Sequence, residues 1–184
     1  MNKKTWFYVA ISCVAVSVLS LFLSVVSYTT TGGTSGLKKS SYSIIDLIFG
    51  TEFRKEVLAQ YTGPVLWKMG GATVSILALV AVGAILCAVI GLITLRKQRP
   101  NRWNFVMTFI GVIGTTFPSF LVILAVVLSK NYFVGTVSCG LSPIITPIAM
   151  VICMFAVLRR KNAVAEQARR EAEAAGLIWK AGDL

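Results

Sequence analysis

The chain has 184 residues, 56% of them hydrophobic and 14% charged, with a mean hydropathy of +0.78. Soluble domains carry about 25% charged residues, so the composition argues against a water-soluble globular fold. Eighteen Lys+Arg against seven Asp+Glu give +11, and His is absent; on so apolar a chain, basic residues mark the cytoplasmic flanks of membrane spans rather than a nucleic-acid partner.

Four stretches, 6–28, 72–95, 103–129 and 141–158, contain no Asp, Glu, Lys or Arg. Each reaches the length of about 20 helical residues needed to cross a hydrocarbon core of ~30 Å. Backbone polar groups inside a bilayer must be satisfied within the segment, which predicts four transmembrane helices. The first follows Lys3 and Lys4 and is far longer than a signal-peptide apolar region, so it reads as an uncleaved signal anchor. Ala10, Cys13, Ser17, Ser20, Ser24 and Ser27 recur along it at heptad spacing. Two readings fit this stripe: close approach of helices, or a hydroxyl-lined water path.

The first connection, 29–71, opens with Thr29-Thr-Thr-Gly-Gly-Thr-Ser-Gly36, which reads as a flexible strip. Ser43-Ile-Ile-Asp46 then has a capping-box pattern and predicts a short surface helix through Leu47, Ile48 and Phe49. A second helix is expected over 51–61, with Phe53, Val57, Leu58 and Tyr61 on one side, ended by Gly63-Pro64. These apolar faces, Ile48, Phe49 and Phe53 foremost, either pack on the bundle as a lid or receive a partner.

The second span carries the small-residue series Ala81, Ala84, Ala88, Gly91, and the third Thr108, Gly111, Thr115, Pro118. Pro118 predicts a kink, because it removes a backbone hydrogen bond where no water replaces it. The connection after the third span is short and holds Cys139; with no other cysteine in the external loops, Cys139 is a free thiol or a bridge to another chain. In the fourth span Ser142 is the expected helix cap, Pro143 suits the first turn, and Pro147 predicts a distorted end. The series Ser142, Thr146, Ala149, Cys153, Ala156 completes the set of stripes. One stripe per span predicts a left-handed four-helix bundle over 1–162, with helix packing at Ser17, Ser20, Ser24, Ala84, Ala88, Gly91, Gly111 and Thr115. Beyond 162 an Ala-rich helix continues as a tail to Gly176, followed by the apolar cluster Leu177, Ile178, Trp179, a second candidate partner surface.

Orientation follows from charge. Lys3, Lys4, Arg96, Lys97, Arg99, Arg102, Arg159, Arg160, Lys161, Arg169, Arg170 and Lys180 fall on one side, against Lys38, Lys39, Arg54, Lys55, Lys68 and Lys130 on the other. The denser side is expected to be cytoplasmic, with both termini on it. Trp6, Tyr8, Tyr28, Trp67, Trp103 and Tyr132 lie near the span ends, where interfacial anchors belong.

Catalytic signals are lacking. Without His there is no Ser–His or Cys–His dyad, and no span contains a carboxylate for an aspartyl mechanism or for proton-coupled transport. Gly32-Gly-Thr-Ser-Gly36 has no Lys-Ser/Thr to make a phosphate loop. Glu52 and Glu56 share a helix face and read as solvated charge or a cation site. No catalytic residue, metal or cofactor is expected.

Four spans, termini on one side, a first external loop much longer than the second and the tight basic loop from Arg96 to Arg102 resemble the layout of the claudin-type tetraspan proteins. The first loop has Trp67 but neither cysteines nor the Gly-Leu-Trp of that family's signature, so the resemblance implies topology without the junction-forming residues. Ser43-Ile-Ile-Asp-Leu-Ile-Phe-Gly50 after a first span is also similar to a segment of small bacterial four-span proteins, which implies a prokaryotic plasma membrane. Taken together, the sequence predicts an all-α, non-enzymatic integral membrane protein. Its expected partners are the bilayer and further copies or other membrane proteins, as oligomeric scaffold or accessory subunit. The alternative is a small pore or transport subunit lined by Ser17, Ser20 and Ser24.

Overall fold

Long apolar runs without charges close their backbone hydrogen bonds internally, and in a computed structural model they do so as helices. The structure describes residues 3–32, 36–49, 70–97, 102–129, 131 and 135–174. Within them lie α1 (Lys3–Ser20), β1 (Ser24–Gly32), β2 (Gly36–Ser43), α2 (Ile44–Phe49), α3 (Gly70–Lys97), α4 (Arg102–Ser129), β3 (Thr136–Cys139) and α5 (Ser142–Ala174). Among the described residues, three helices are long and apolar enough to cross a membrane, over Ile76–Ile93, Arg102–Leu128 and Ser142–Ala174, and Lys4–Ser20 forms a shorter apolar helix. α1 packs chiefly on α5, α3 on α4, and α4 also on α5.

The fold is not all-α. Helix α1 ends at Ser20 rather than near 28, as Leu21, Phe22 and Leu23 donate to the carbonyls of Val18, Leu19 and Ser20, each at 3.1 Å, and tighten the chain out of the helix. The next residues, Ser24-Val-Val-Ser-Tyr-Thr-Thr-Thr, are rich in β-branched side chains that fit a pleated surface. They become the central strand of a three-stranded antiparallel sheet of order β2-β1-β3. Tyr28 pairs with Ser40 on one side and with Val137 on the other, and Thr29 with Lys39 and Thr136. A helix continued to 28 would have left β2 and β3 without a partner, so long-range pairing overrides the local apolar run. The strip expected to be flexible is thus strand on both flanks, with β1 reaching Gly32 and β2 starting at Gly36.

Two apolar clusters hold the molecule. At the sheet end, Val25, Val26, Tyr28, Tyr42, Ile44, Leu47 and Val137 pack with Ala78 of α3 and Val122 of α4. Between the helices, Ala10 and Val14 of α1 meet Ala88 and Leu92 of α3 and Met150, Cys153, Ala156 and Val157 of α5.

α4 includes Pro118 and α5 includes Pro147 within their helical ranges. The hydroxyls of Thr115 and Thr146, near the two prolines, donate to the Gly111 and Ser142 carbonyls at 2.8 Å each. Ser142 does not cap α5 through its side chain: the Leu141 carbonyl accepts from Ile144 and Ile145 at 3.1 and 3.0 Å, while the Ser142 hydroxyl is buried without a partner. α5 continues without interruption past 162 to Ala174, a length of about 50 Å.

Candidate packing seams and partner surfaces

Between α1 and α5 the buried hydroxyls form a ladder. Ser17 donates to the Cys13 carbonyl at 3.0 Å, Ser20 to the Ser17 carbonyl at 2.7 Å, and Ser20 Oγ lies 2.5 Å from Thr146 Oγ1 across the interface. Short hydroxyl side chains let the backbones approach while their oxygens stay satisfied. Ser24, grouped with Ser17 and Ser20 by spacing, is not on this face, because it opens β1.

Ala84, Ala88 and Gly91 of α3 and Gly111 and Thr115 of α4 are all buried. Gly111 lies where three helices meet: a Cβ there would fall 2.5 Å from Met150 Cε, 3.1 Å from Ala88 Cβ and 3.2 Å from the Ala84 carbonyl oxygen. The Met150 methyl is the end of a flexible chain and can move aside, whereas Ala88 Cβ and the Ala84 carbonyl belong to the facing helix, so a side chain here is tight. Towards the basic end of the pair, Asn104 is buried and its amide Nδ2 donates to the Gly91 carbonyl at 2.7 Å, with Thr108 donating to the Asn104 carbonyl at 2.7 Å.

Asn104 and Met150 are absent from the expected site residues. The signal for Asn104 is a carboxamide inside an uncharged span, a group that must find a partner there. The signal for Met150 is its place on the α5 stripe, one turn from Thr146 and from Cys153, obscured by its size.

The capping box forms: the Ser43 N–H and hydroxyl donate to Asp46 Oδ2 at 2.8 and 2.7 Å, and the Asp46 N–H donates to Ser43 Oγ at 3.3 Å. It fixes α2 directly behind β2. Ile48 is half-buried against the sheet-end cluster, whereas Phe49 is 81% exposed. Phe53, the expected helix 51–61 with Glu52 and Glu56, and the cluster Leu177, Ile178, Trp179 lie outside the described residues.

At the opposite end, aromatic rings and guanidinium groups interleave. Trp6 meets Phe155 edge-on, with centroids 5.9 Å apart, Arg159 Cζ lies 4.9 Å above the Phe155 ring, and Arg160 Cζ 4.5 Å above that of Phe7. Trp103 and Tyr8 are exposed, but Tyr28 is 2% exposed within the sheet-end core and is no interfacial anchor.

All four cysteines are free. Cys139 directs its Sγ at the Val25 carbonyl, at 3.9 Å; burial pushes its thiol up from the ordinary value, and a backbone hydrogen bond from Gly140 partly offsets this. Among the described residues no three His, Cys, Asp or Glu side chains gather as a metal site. Comparison with protein-family models, with curated proteins and with solved structures finds no match.

Proposed function

We propose that the chain is a four-span integral membrane protein of the plasma membrane, a left-handed bundle with both termini cytoplasmic, that acts without enzymatic chemistry by binding other membrane proteins or further copies of itself. The claudin-like layout of spans and loops belongs to this reading. The observation that carries it is the contrast between inside and outside. Among the described residues, the fully buried polar side chains are Ser, Thr and one Asn, with two guanidinium nitrogens of half-buried Arg160 also shielded at the basic end, groups that do not exchange protons near neutral pH. The outward faces of the same helices carry Leu19, Leu79, Leu86, Ile90, Phe117, Phe120, Ile148 and Phe155, an apolar belt that suits lipid or a partner helix.

The pore alternative needs water at Ser17, Ser20 and Ser24. Ser17 and Ser20 spend their hydroxyls on helix carbonyls and on Thr146, and Ser24 stands on a strand, which favours packing over a pathway. Purification in mild detergent with mass measurement tests the proposal. An oligomer or a co-purifying membrane protein is expected; a stable, strictly monomeric particle that brings nothing with it contradicts it.

A further inference from the structure

α1 and α5 run antiparallel, with Ser20 against Thr146 at one end of their seam and Phe7 against Arg160 at the other. At this second end, rings carry cations. Side chains on a helix lean towards its N-terminus, so Arg159 and Arg160 of α5 fold back over the bundle. Arg159 Cζ comes 4.9 Å from the Phe155 ring centre and Arg160 Cζ 4.5 Å from that of Phe7, while Trp6 closes edge-on against Phe155. These contacts hold both guanidinium groups at the mouth of the seam. Nε and Nη1 of Arg160 are shut in without hydrogen bonds, but Nη2 is not among them, and Arg159 and Lys4 are exposed. Lys4 lies one turn ahead of Phe7 on the same face of α1 and leans outward by the same rule.

No carboxylate answers these charges. Asp and Glu are absent from 1–45 and from 57–165. The first acid on α5, Glu166, stands seven residues past Arg159, about 10 Å farther along the axis. The ion pair of Arg169 with Glu173 lies farther out still. Cations gathered on a partly desolvated surface without a counter-charge favour an anion from outside the chain. The surface leading inward from them is apolar and open: Phe155 is exposed, as are Ile152, one turn before it, and Ile11, one turn beyond Phe7.

We propose that this end of the α1–α5 seam is a binding site for one anionic phospholipid, its phosphate held by Arg159, Nη2 of Arg160 and Lys4, and its acyl chains laid along Ile11, Ile152 and Phe155. Guanidinium forks match phosphate oxygens, and a basic pocket between helices at headgroup depth is where such lipids are recognised. The site needs the helices to stand in a bilayer, as the functional reading has them. It needs neither a particular orientation nor a protein partner, so its failure and the failure of that reading are separate results.

The test uses the full-length protein in neutral detergent, with native mass spectrometry counting bound lipid. Titrated with phosphatidylglycerol and with phosphatidylcholine of identical chains, the wild type retains one phosphatidylglycerol about ten- to a hundredfold more tightly, as expected where two or three cations meet one phosphate. Arg159→Gln combined with Arg160→Gln abolishes most of this preference. Arg169→Gln combined with Arg170→Gln, which removes the same charge beyond the seam, leaves it unchanged. If the first pair fails to fold, Lys4→Gln, at an exposed position, lowers the preference severalfold, and an unchanged preference in that variant contradicts the site. Equal retention of the two lipids, equal loss in both double variants, or displacement of the lipid by millimolar inorganic phosphate overturns the proposal, the last because it marks a site for small anions.

Discussion

The two apolar clusters are made by opposite means. The sheet-end cluster uses large side chains, among them Tyr28, Tyr42, Ile44 and Leu47, laid over two helix ends. Between the helices half of the buried residues are small, Ala10, Ala88, Cys153 and Ala156, with the aliphatic Val14, Leu92, Met150 and Val157 between them and no buried aromatic. With the proposed membrane placement, which sets the sheet end in water and the helices in lipid, the difference follows from the surroundings. A cap facing water gains by removing apolar area from it, at about 25 cal/mol per Å². Helices bathed in lipid gain nothing from apolarity alone and associate by close contact and hydrogen bonds. One end of the chain is thus held by bulk and the other by fit.

That contrast is broken most severely by truncation at the bulky end. Tyr28→Ala removes a buried aromatic from the central strand and should cost about 3–5 kcal/mol, read as a large drop in thermal midpoint in detergent. The helices should remain, so the loss of far-UV helical signal should be small. At the fitted end the damaging change is enlargement. Gly111→Ala places a methyl group against Met150 and Ala88 and should cost about 1–3 kcal/mol; pairing it with Met150→Ala should recover part of the loss, because the double variant clears the clash.

Smaller effects sharpen the picture. Asn104→Ala deletes the amide bond to the Gly91 carbonyl and should destabilise by about 0.6–2 kcal/mol, the range of interhelical hydrogen bonds in membranes. The mildest expected effect is on Cys139. Burial raises its thiol pKa, so the protonated form is favoured by the fold, and the stability this contributes is present below the unfolded thiol value and lost as pH rises through the folded one. Alkylation by a membrane-impermeant maleimide should accordingly be slower in the folded than in the unfolded protein at pH 8, the gap narrowing as pH rises. Equal rates would place the thiol in open solvent.

The sequence and the structure part company at instructive places. Small residues at helical spacing lie on the buried faces of α3, α4 and α5, since tight approach leaves few alternatives at Gly111 or Ala88. The sheet was hidden, because its pairing joins β1 to β3, more than a hundred residues away along the chain, and no local pattern encodes so distant a partner. Val25-Val-Ser-Tyr28 follows α1 with no Gly or Pro to mark the change. The capping box at Ser43 and Asp46 was legible, as a motif complete within four residues. Ser142 misled for a related reason: the pattern of a cap was present, but the Leu141 carbonyl opens the helix and the hydroxyl turns inward.

The central claim is that four helices cross a membrane with the basic end cytoplasmic and the sheet end outside. Fusing a compartment-sensitive reporter after Gln98 or after Leu184, and inserting an epitope tag at Gly33 between the flanks of β1 and β2, tests this directly in intact cells. The account predicts that both reporters read cytoplasmic while the tag is accessible to antibody from outside. A reporter after Gln98 or Leu184 that reads external, or a tag protected until the membrane is breached, would contradict it.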